Sequence, residues 1–365
     1  MRDVTLVTGV PGFIGTRIAR RLRSEGRRLA LLVYPQPALL EKARDLDLGE
    51  VVPGDITKAR LGLDEATHAR LAAEVGEVWH LAALYDLAAP RATSVAVNVD
   101  GTRRVLDFCE DGGGGAGSGG GEGPRRLVYF STMVVSGDRT GVVYEHELEM
   151  GQSFRNFYEE TKHLAEVLVR RRAGLKPIIV RPAAVVGDSR SGEIDKYDGP
   201  YYMIHSLARL EARGGIGWNA ALYSIGRAPA PFHLIPVDYL VEAATAIARR
   251  PGSAGRTFHV VDREPMSVED FRSEVLQRFG APDLRLPFPA GVGRALASIP
   301  AVERFFRVPR QVMDYLDLEV RYDDTNTRLA LEGTGIRCPP MASYLDTLVA
   351  FVRSHLEIRP VLSKR

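Results

Sequence analysis

"TGVPGFIG", residues 8–15, decides the reading of this chain. It places Gly9, Gly12 and Gly15 in the spacing G-x-x-G-x-x-G, directly after the apolar run "VTLVTG" (4–9) and at the opening of a helical pattern, "FIGTRIARRLRSEG" (13–26). Glycines in that context let the chain turn tightly, let backbone approach a pyrophosphate closely, and let the helix pack against the strand. Phosphates would then sit at the positive end of the helix dipole. The plainer alternative is an ordinary glycine turn. Its position after a strand and before a helix favours dinucleotide binding, with Phe13 and Ile14 carried between the glycines.

Outward from this stretch the first 180 or so residues alternate two patterns. Short, nearly continuous apolar runs recur at 29–34, 51–55, 77–83, 126–131 and 177–182. Runs of that kind suit strands buried on both faces. Helical patterns separate them at 92–110 and 157–174, the latter closing on Gly174. The alternation predicts an α/β fold, a doubly wound parallel sheet with helices on both faces. After residue 182 prolines, glycines and tyrosines become frequent, which predicts a smaller, mostly helical C-terminal lobe over 183–365. Segments at about 230–262 are expected to return to the core formed by 1–182. Within this second part, "HLIPVDYLVEAATAIARR" (233–250) reads as a strand or turn entering an amphipathic helix, and Ser267 as the N-cap of another. The glycine-rich tract 111–123 reads as a flexible surface loop, not a phosphate cradle, because no helix follows it directly.

Composition narrows the class. A net charge of +2 gives no reason to expect a nucleic-acid partner. Two cysteines, Cys109 and Cys338, are too few for a disulfide framework, and no Cys/His set has metal-ligand spacing. No apolar run approaches the roughly 20 residues of a membrane span. With no evident leader, the expected location is cytoplasmic.

"NFYEETK" (156–162) sets Tyr158 and Lys162 one helical turn apart. A phenol near pKa 10 needs help to exchange a proton at neutral pH, and a nearby ammonium supplies it. Only six of the 48 basic residues are lysine, and one stands here. The plainer alternative is an ordinary amphipathic pair. Upstream, "YFSTMVVSG" (129–137) brings the hydroxyls of Ser131 and Thr132 to a strand end, where sites form in parallel sheets and where one could bond a substrate oxygen. Loop capping is the alternative for both. The second strand ends "LVYPQP", with Tyr34 and Gln36 and no carboxylate for ribose hydroxyls, so NADP(H) is expected over NAD(H). Arg17 and Lys42 are the candidates for a 2′-phosphate.

With "GDIT", "HLAAL", "NVDGT", "FSTMVVSG", "YEETK" and "RPAAVVGD" following "TGVPGFIG" in order, the chain resembles the extended short-chain dehydrogenase/reductase family over about its first 190 residues. The resemblance implies a Rossmann domain with a substrate lobe. It implies that Gly9, Gly12 and Gly15 hold the pyrophosphate, that Asp55 and Ile56 lie by the adenine, and that Ala82 and Ala83 line the groove. Asn98 would support the site, Thr132 would be the hydroxyl partner, Tyr158 the acid/base and Lys162 its modulator. Arg181 and Pro182 would approach the nicotinamide end, with Tyr34 and Ser131 also toward the cofactor. Threonine replaces the usual serine at 132, and Ser136 replaces a frequent tyrosine, which disfavours a sugar-nucleotide epimerase. "RNFYEETKHLAEVLV", "VVGDSRSGEIDKYDGPYY" and "FHLIPVDYLVEAA" look like the thioester-reductase and fatty-acyl-reductase (male-sterility-like) branch, whose members generally use NADPH.

The expected function is an NAD(P)H-dependent reductase of a carbonyl in a lipophilic small molecule: an acyl thioester, an aldehyde or a ketone. "DGPYYMIHSL" (198–207) and "APAPFHLIP" (228–236) are the expected pocket segments, ordinary lobe packing being the alternative. The competing readings are a sugar-nucleotide epimerase or dehydratase retaining NAD, and a non-catalytic nucleotide sensor. No metal is expected. A homodimer is left open by analogy with the family, and His80, His146, His205 and His233 receive no role beyond packing or polar contacts.

Overall fold

The structure is a computed structural model, and it describes residues 2–86, 89–111, 125–215, 229–283, 318–358 and 360. Of the glycine-rich tract only Asp111 falls inside these ranges, and Ala228 of the second pocket segment falls outside.

Seven strands form the central sheet: β1 (Val4–Thr8), β2 (Arg28–Val33), β3 (Glu50–Pro53), β4 (Val75–His80), β5 (Arg126–Phe130), β7 (Ile178–Pro182) and β10 (Thr257–Val260). Every pairing among them is parallel, and the order across the sheet is β3-β2-β1-β4-β5-β7-β10. Two small parallel pairs lie outside it, β6 (Gly141–Val143) with β11 (Val320–Tyr322) and β8 (Ala184–Val186) with β9 (Leu234–Pro236). The chain therefore has the doubly wound α/β architecture that its alternating pattern predicts.

Side chains on a strand point to alternate faces, and both faces here are apolar. Val7, Leu31, Val33, Val128, Val180 and Phe258 enter one core, while Leu6, Leu32, Val78, Leu127 and Ile179 enter the other. The helices, in chain order, are α1 (Phe13–Ser24), α2 (Pro37–Asp45), α3 (Glu65–Glu74), α4 (Arg91–Ser94), α5 (Gly101–Glu110), α6 (Phe157–Arg171), α7 (Tyr201–Ala212), α8 (Val237–Arg249), α9 (Val268–Arg278), α10 (Thr325–Leu331) and α11 (Leu345–Ser354). Ile18, Ala19 and Leu22 of α1 and Leu240, Ala243, Ala244 and Ile247 of α8 close the first core. Val105, Leu106 and Phe108 of α5 and Ala165 and Val169 of α6 close the second. A third core, with Tyr201, Ile204, Phe271, Val275, Leu345 and Leu348, joins α7, α9 and α11.

Three local details depart from the sequence pattern. The stretch 91–110 is continuous but contains a π-type turn, Val95–Asp100, between α4 and α5. Helix α6 ends at Arg171, and the left-handed residue after it is Lys176 at φ 45°, not Gly174, because a short 3₁₀ turn over Ala173–Leu175 intervenes. Arg125, a residue with no sequence signal, is buried and donates to carbonyls of Ala72, Val75 and Phe108, satisfying C-terminal acceptors of α3 and α5. The N-cap read at Ser267 holds, and Asn156 caps α6 in the same way, each accepting from the backbone three residues on.

Strand order reverses direction of growth between β1 and β4, and open parallel sheets have their crevice at that point. The glycine turn crosses it. Gly9 has φ 86°, and a Cβ there would lie 2.9 Å from the backbone nitrogen of Ala82. Gly9→Ala is therefore expected to destabilise the fold by about 1–3 kcal/mol through overpacking against main chain, read as a lowered urea midpoint; an unchanged midpoint would contradict this packing.

Candidate active site

The N-terminus of α1 is built for an anion. Gly12 is its N-cap, no side chain caps it, and its first turn carries no acidic residue. A Cβ on Gly12 would meet the Gly9 carbonyl oxygen at 2.8 Å and one on Gly15 would collide with it outright. The turn is thus a bare backbone cradle facing the β1/β4 crevice, with free N–H groups at the positive end of a helix. Phe13 and Ile14 are half-buried behind it.

Across the crevice the Thr8 hydroxyl accepts from the backbone N–H groups of Leu81 (3.1 Å) and Ala82 (3.0 Å). Ala82 is half-buried and Ala83 exposed. Asn98, on the π-type turn, accepts from Leu84 N–H at 2.7 Å and donates to the Leu84 carbonyl and to the Thr161 hydroxyl. It ties the loop after β4 to α6 at the residue next to Lys162. Ile56 is buried against Gly101. The Asp55 carboxylate accepts from Thr57 N–H and its hydroxyl, closing its own turn. Tyr34 is 57% exposed at the end of β2. Arg17 is drawn elsewhere: it lies over the Phe13 ring and pairs with Glu193 and Asp195 of the lobe. It is therefore not available as the phosphate partner considered from sequence, whereas Lys42 is exposed on α2.

Helix α6 carries the reactive stripe. Asn156 caps it, and Glu159 reaches back to Arg155 N–H at 3.0 Å, so the helix begins just before Tyr158. Tyr158, Lys162, Glu166 and Arg170 then follow at intervals of four on one face. Burial pushes the Tyr158 phenol up to about 12, a hydrogen bond with the Thr132 hydroxyl works against that, and Glu159 and Asp198 add to the rise. Thr132 also caps the 3₁₀ turn Met133–Ser136 through Val134 N–H. Lys162 is 3% exposed and its ammonium donates to the Tyr129 hydroxyl at 3.1 Å and the Phe130 carbonyl at 2.6 Å. Burial brings it down to about 7, opposed by Glu166. In this structure the ammonium is held by β5, and burial leaves the phenol above its ordinary range.

Ser131 and Arg181 have structural partners. The Ser131 hydroxyl donates to Glu166 at 2.6 Å, and the Arg181 guanidinium forms a fork on the same carboxylate at 2.7 and 3.0 Å. Arg181 also donates to the Glu147 carbonyl and to His259, and it is 1% exposed. Its charge belongs to this buried pair, and Pro182, which ends β7, is buried beside it in sequence. Glu166 is the residue that sequence reading missed. Burial would raise its carboxyl, but Arg181, Arg170 and Ser131 together bring it down to about 2. The available signal was its place one turn beyond Lys162.

The lobe reaches this face through residues 188–200. The Tyr85 ring meets the Tyr158 ring edge-on at 4.9 Å, and Lys196 lies 4.4 Å over Tyr85 while pairing with Asp198 at 3.1 Å. Tyr202, from the first pocket segment, is buried and feels Asp198. The buried Tyr201 hydroxyl accepts from Gly187 N–H at 2.8 Å. In the second segment His233 Nε2 donates to the Val320 carbonyl of β11 at 3.0 Å, as lobe packing. Among the described residues no group of His, Cys, Asp and Glu could hold a metal ion, and no helix is long and apolar enough to cross a membrane.

Known proteins share this frame. The family described as Male sterility protein matches residues 7–244. Glycine betaine reductase of Emericella nidulans is 28% identical over 306 residues, 76% of this chain and 22% of that protein. L-2-aminoadipate reductase of Schizosaccharomyces pombe is 24% identical over 94% of this chain and 26% of its own length. The chain thus spans about a quarter of the length of these relatives. The terminal R domain of the myxalamid PKS-NRPS pathway superposes with a TM-score of 0.78 at 25% identity, covering 98% of this chain and 92% of that one. UDP-glucuronic acid 4-epimerase of Bacillus cereus, in complex with NAD, shares the fold at a TM-score of 0.64 and 16% identity, covering 98% of each chain.

The Glu166 carboxyl lies at about 2 when folded, below its ordinary 4.5. Its ion pair therefore stabilises the fold fully above pH 4.5 and loses that contribution as pH falls toward 2. Glu166→Gln is expected to cost about 3–5 kcal/mol at neutral pH by leaving Arg181 buried without its partner, and to flatten the acid limb of stability measured by urea titration between those two pH values.

Proposed function

The chain belongs to the Male sterility protein family and is an NAD(P)-dependent oxidoreductase of the extended short-chain dehydrogenase/reductase type; from that premise we propose that it reduces the carbonyl of a lipophilic small molecule, an acyl thioester, aldehyde or ketone. The observation that carries the reading is the meeting of the Thr132 and Tyr158 hydroxyls, with Lys162 one turn along the same helix.

The bare cradle of Gly9, Gly12 and Gly15 at the N-terminus of α1 fits the pyrophosphate of a dinucleotide, since any Cβ there would occupy the space. Ala82, Ala83 and Asn98 would border the groove, with Ile56 and the Asp55 backbone on the adenine side and Tyr34 at the ribose. When bound, the nicotinamide supplies the hydride. No carboxylate follows β2 before Glu41, which favours NADP(H), with Lys42 as the candidate cation.

Thr132 orients the carbonyl oxygen by hydrogen bonding, and Tyr158 gives it the proton. A phenol raised to about 12 is fully protonated at neutral pH, the state a reduction requires. Lys162 offsets the negative charge left on Tyr158 as the proton departs. Tyr85, Tyr202 and Lys196 would border the substrate on the lobe side. The relatives named as reductases of glycine betaine and L-2-aminoadipate support reduction at a carboxyl-derived carbonyl. The epimerase alternative is weakened because Ser136, standing where such enzymes often have tyrosine, is buried with its hydroxyl on Tyr322 at 2.9 Å.

A panel of acyl thioesters, aldehydes and ketones assayed with NADPH and NADH tests the reading, expecting net oxidation of NADPH by at least one class. Tyr158→Phe is expected to lower kcat by about 10²–10⁴-fold while leaving cofactor affinity, followed by fluorescence titration, unchanged. Full turnover in that variant would sink the assignment.

A further inference from the structure

The ammonium of Lys162 has an uncharged partner that the reductase chemistry does not itself require. Tyr129 is 1% exposed on β5; its hydroxyl lies 3.1 Å from Lys162 Nζ, and its ring centroid 4.6 Å away. The phenol lies well above its ordinary range, first because it is buried, so it is neutral and accepts from the ammonium.

Proton assignment shows that this hydroxyl heads a chain. Thr8 Oγ1 already accepts two backbone N–H groups, so its own hydrogen goes to His80 Nδ1 at 2.8 Å. His80 Nε2 then carries the hydrogen and donates to Thr102 Oγ1 at 3.1 Å. Thr102 donates in turn to the Asn98 carbonyl at 2.6 Å. That leaves Thr102 one lone pair for the Tyr129 hydroxyl beside it. Every hydrogen has one acceptor, and the assignment requires neutral His80, which burial and the neighbouring Lys162 enforce by bringing it to about 3.

We propose that Tyr129 is a positioning residue for Lys162. Its hydroxyl holds the ammonium at a fixed point, and the chain Tyr129–Thr102–His80–Thr8 ties that point to the backbone of residues 81 and 82 under the glycine turn. The inference rests on Lys162 being the lysine of the proposed reductase site. It names a residue on a strand interior, outside the motifs that carry the resemblance to known reductases. The groups that face Lys162 are Glu166 one turn ahead and Tyr158 one turn behind on α6, Tyr129 from β5 and His80 from β4. Of these, Glu166 is already held by Arg181 and Arg170. Among the described residues, the ammonium donates to the Tyr129 hydroxyl as its side-chain acceptor and to the Phe130 carbonyl on the backbone.

Six lysines make the test direct. The protein is labelled at lysine Cε with ¹³C, the Lys162 resonance is assigned with Lys162→Arg, and it is followed against pH without cofactor or substrate. Tyr129→Phe removes an acceptor of the charged form, so the Lys162 midpoint is expected to fall by about half to one unit while far-UV circular dichroism is unchanged. Thr102→Val, which takes away the next link, is expected to move it in the same direction by less. A midpoint unmoved or raised in Tyr129→Phe overturns the proposal. If that variant does not fold, Thr102→Val decides, and an unmoved midpoint there overturns it equally. Because no turnover enters, a failed substrate panel or an active Tyr158→Phe would refute the reductase reading without altering this result.

Discussion

A carboxylate with almost no access to water stands at the centre of this molecule. Burying Glu166 as an anion would cost several kcal/mol if it were alone. Three donors offset that cost: the fork of Arg181 from β7, Arg170 one turn along α6, and the Ser131 hydroxyl from the end of β5. Each donor comes from a different element, so the geometry of the pair sets where α6 lies against the sheet. Once α6 is placed, the i, i+4 stripe sets the depth of Lys162 and Tyr158 with no further freedom. The reactive end of the helix thus depends on an ion pair one to two turns away, which is a positioning device and not itself chemistry.

This dependence explains what was legible in the sequence. The nucleotide half is written in local patterns. Apolar runs of strand length, the glycine spacing and the turn context all act within a few residues, and the sheet, its crevice and the α1 cradle follow from them. Tyr158 and Lys162 were visible because four residues is one helical turn. Arg181, Glu166, Arg125 and Tyr129 look alike in sequence to any apolar-strand or helix residue. Their roles come from contacts between residues 15 to 53 positions apart, which no local periodicity records. Arg181 shows why: its acceptor, the Glu166 carboxylate, lies on another element. Gly174 misled at shorter range, because a 3₁₀ turn moved the left-handed residue to Lys176.

The lobe meets the core by the same logic of paired charge. Arg17 of α1 joins Glu193 and Asp195, and Asp188 organises its own turn by accepting from Arg190 and Ser191 N–H. Asp238 at the start of α8 accepts from both the N–H and the hydroxyl of Ser189. These contacts hold residues 188–200 over α1 and deliver Lys196 and Asp198 to Tyr85. Surface pairs of this sort contribute little individually, but several on one short segment specify where it lies. The segment's one tyrosine, Tyr197, is buried in the third core and donates to the His355 carbonyl, anchoring the segment to the lobe.

Burial shifts the two reactive groups in opposite directions for one reason. Low dielectric disfavours charge, so the phenol holds its proton and the ammonium tends to lose one. Tyr158 rises to about 12 and Lys162 falls to about 7. A site that kept both at their ordinary values would need water near both, and water would compete with Thr132 for the substrate oxygen. In the proposed reduction the neutral phenol would donate its proton, and the phenolate so formed would favour a charged ammonium nearby. In that reaction the pair would be coupled: loss of the Tyr158 proton would raise the affinity of Lys162 for its own. That coupling needs Lys162 fixed at a short distance from Tyr158, so the neutral hydrogen-bond acceptors on β5 matter as much as the charges around them.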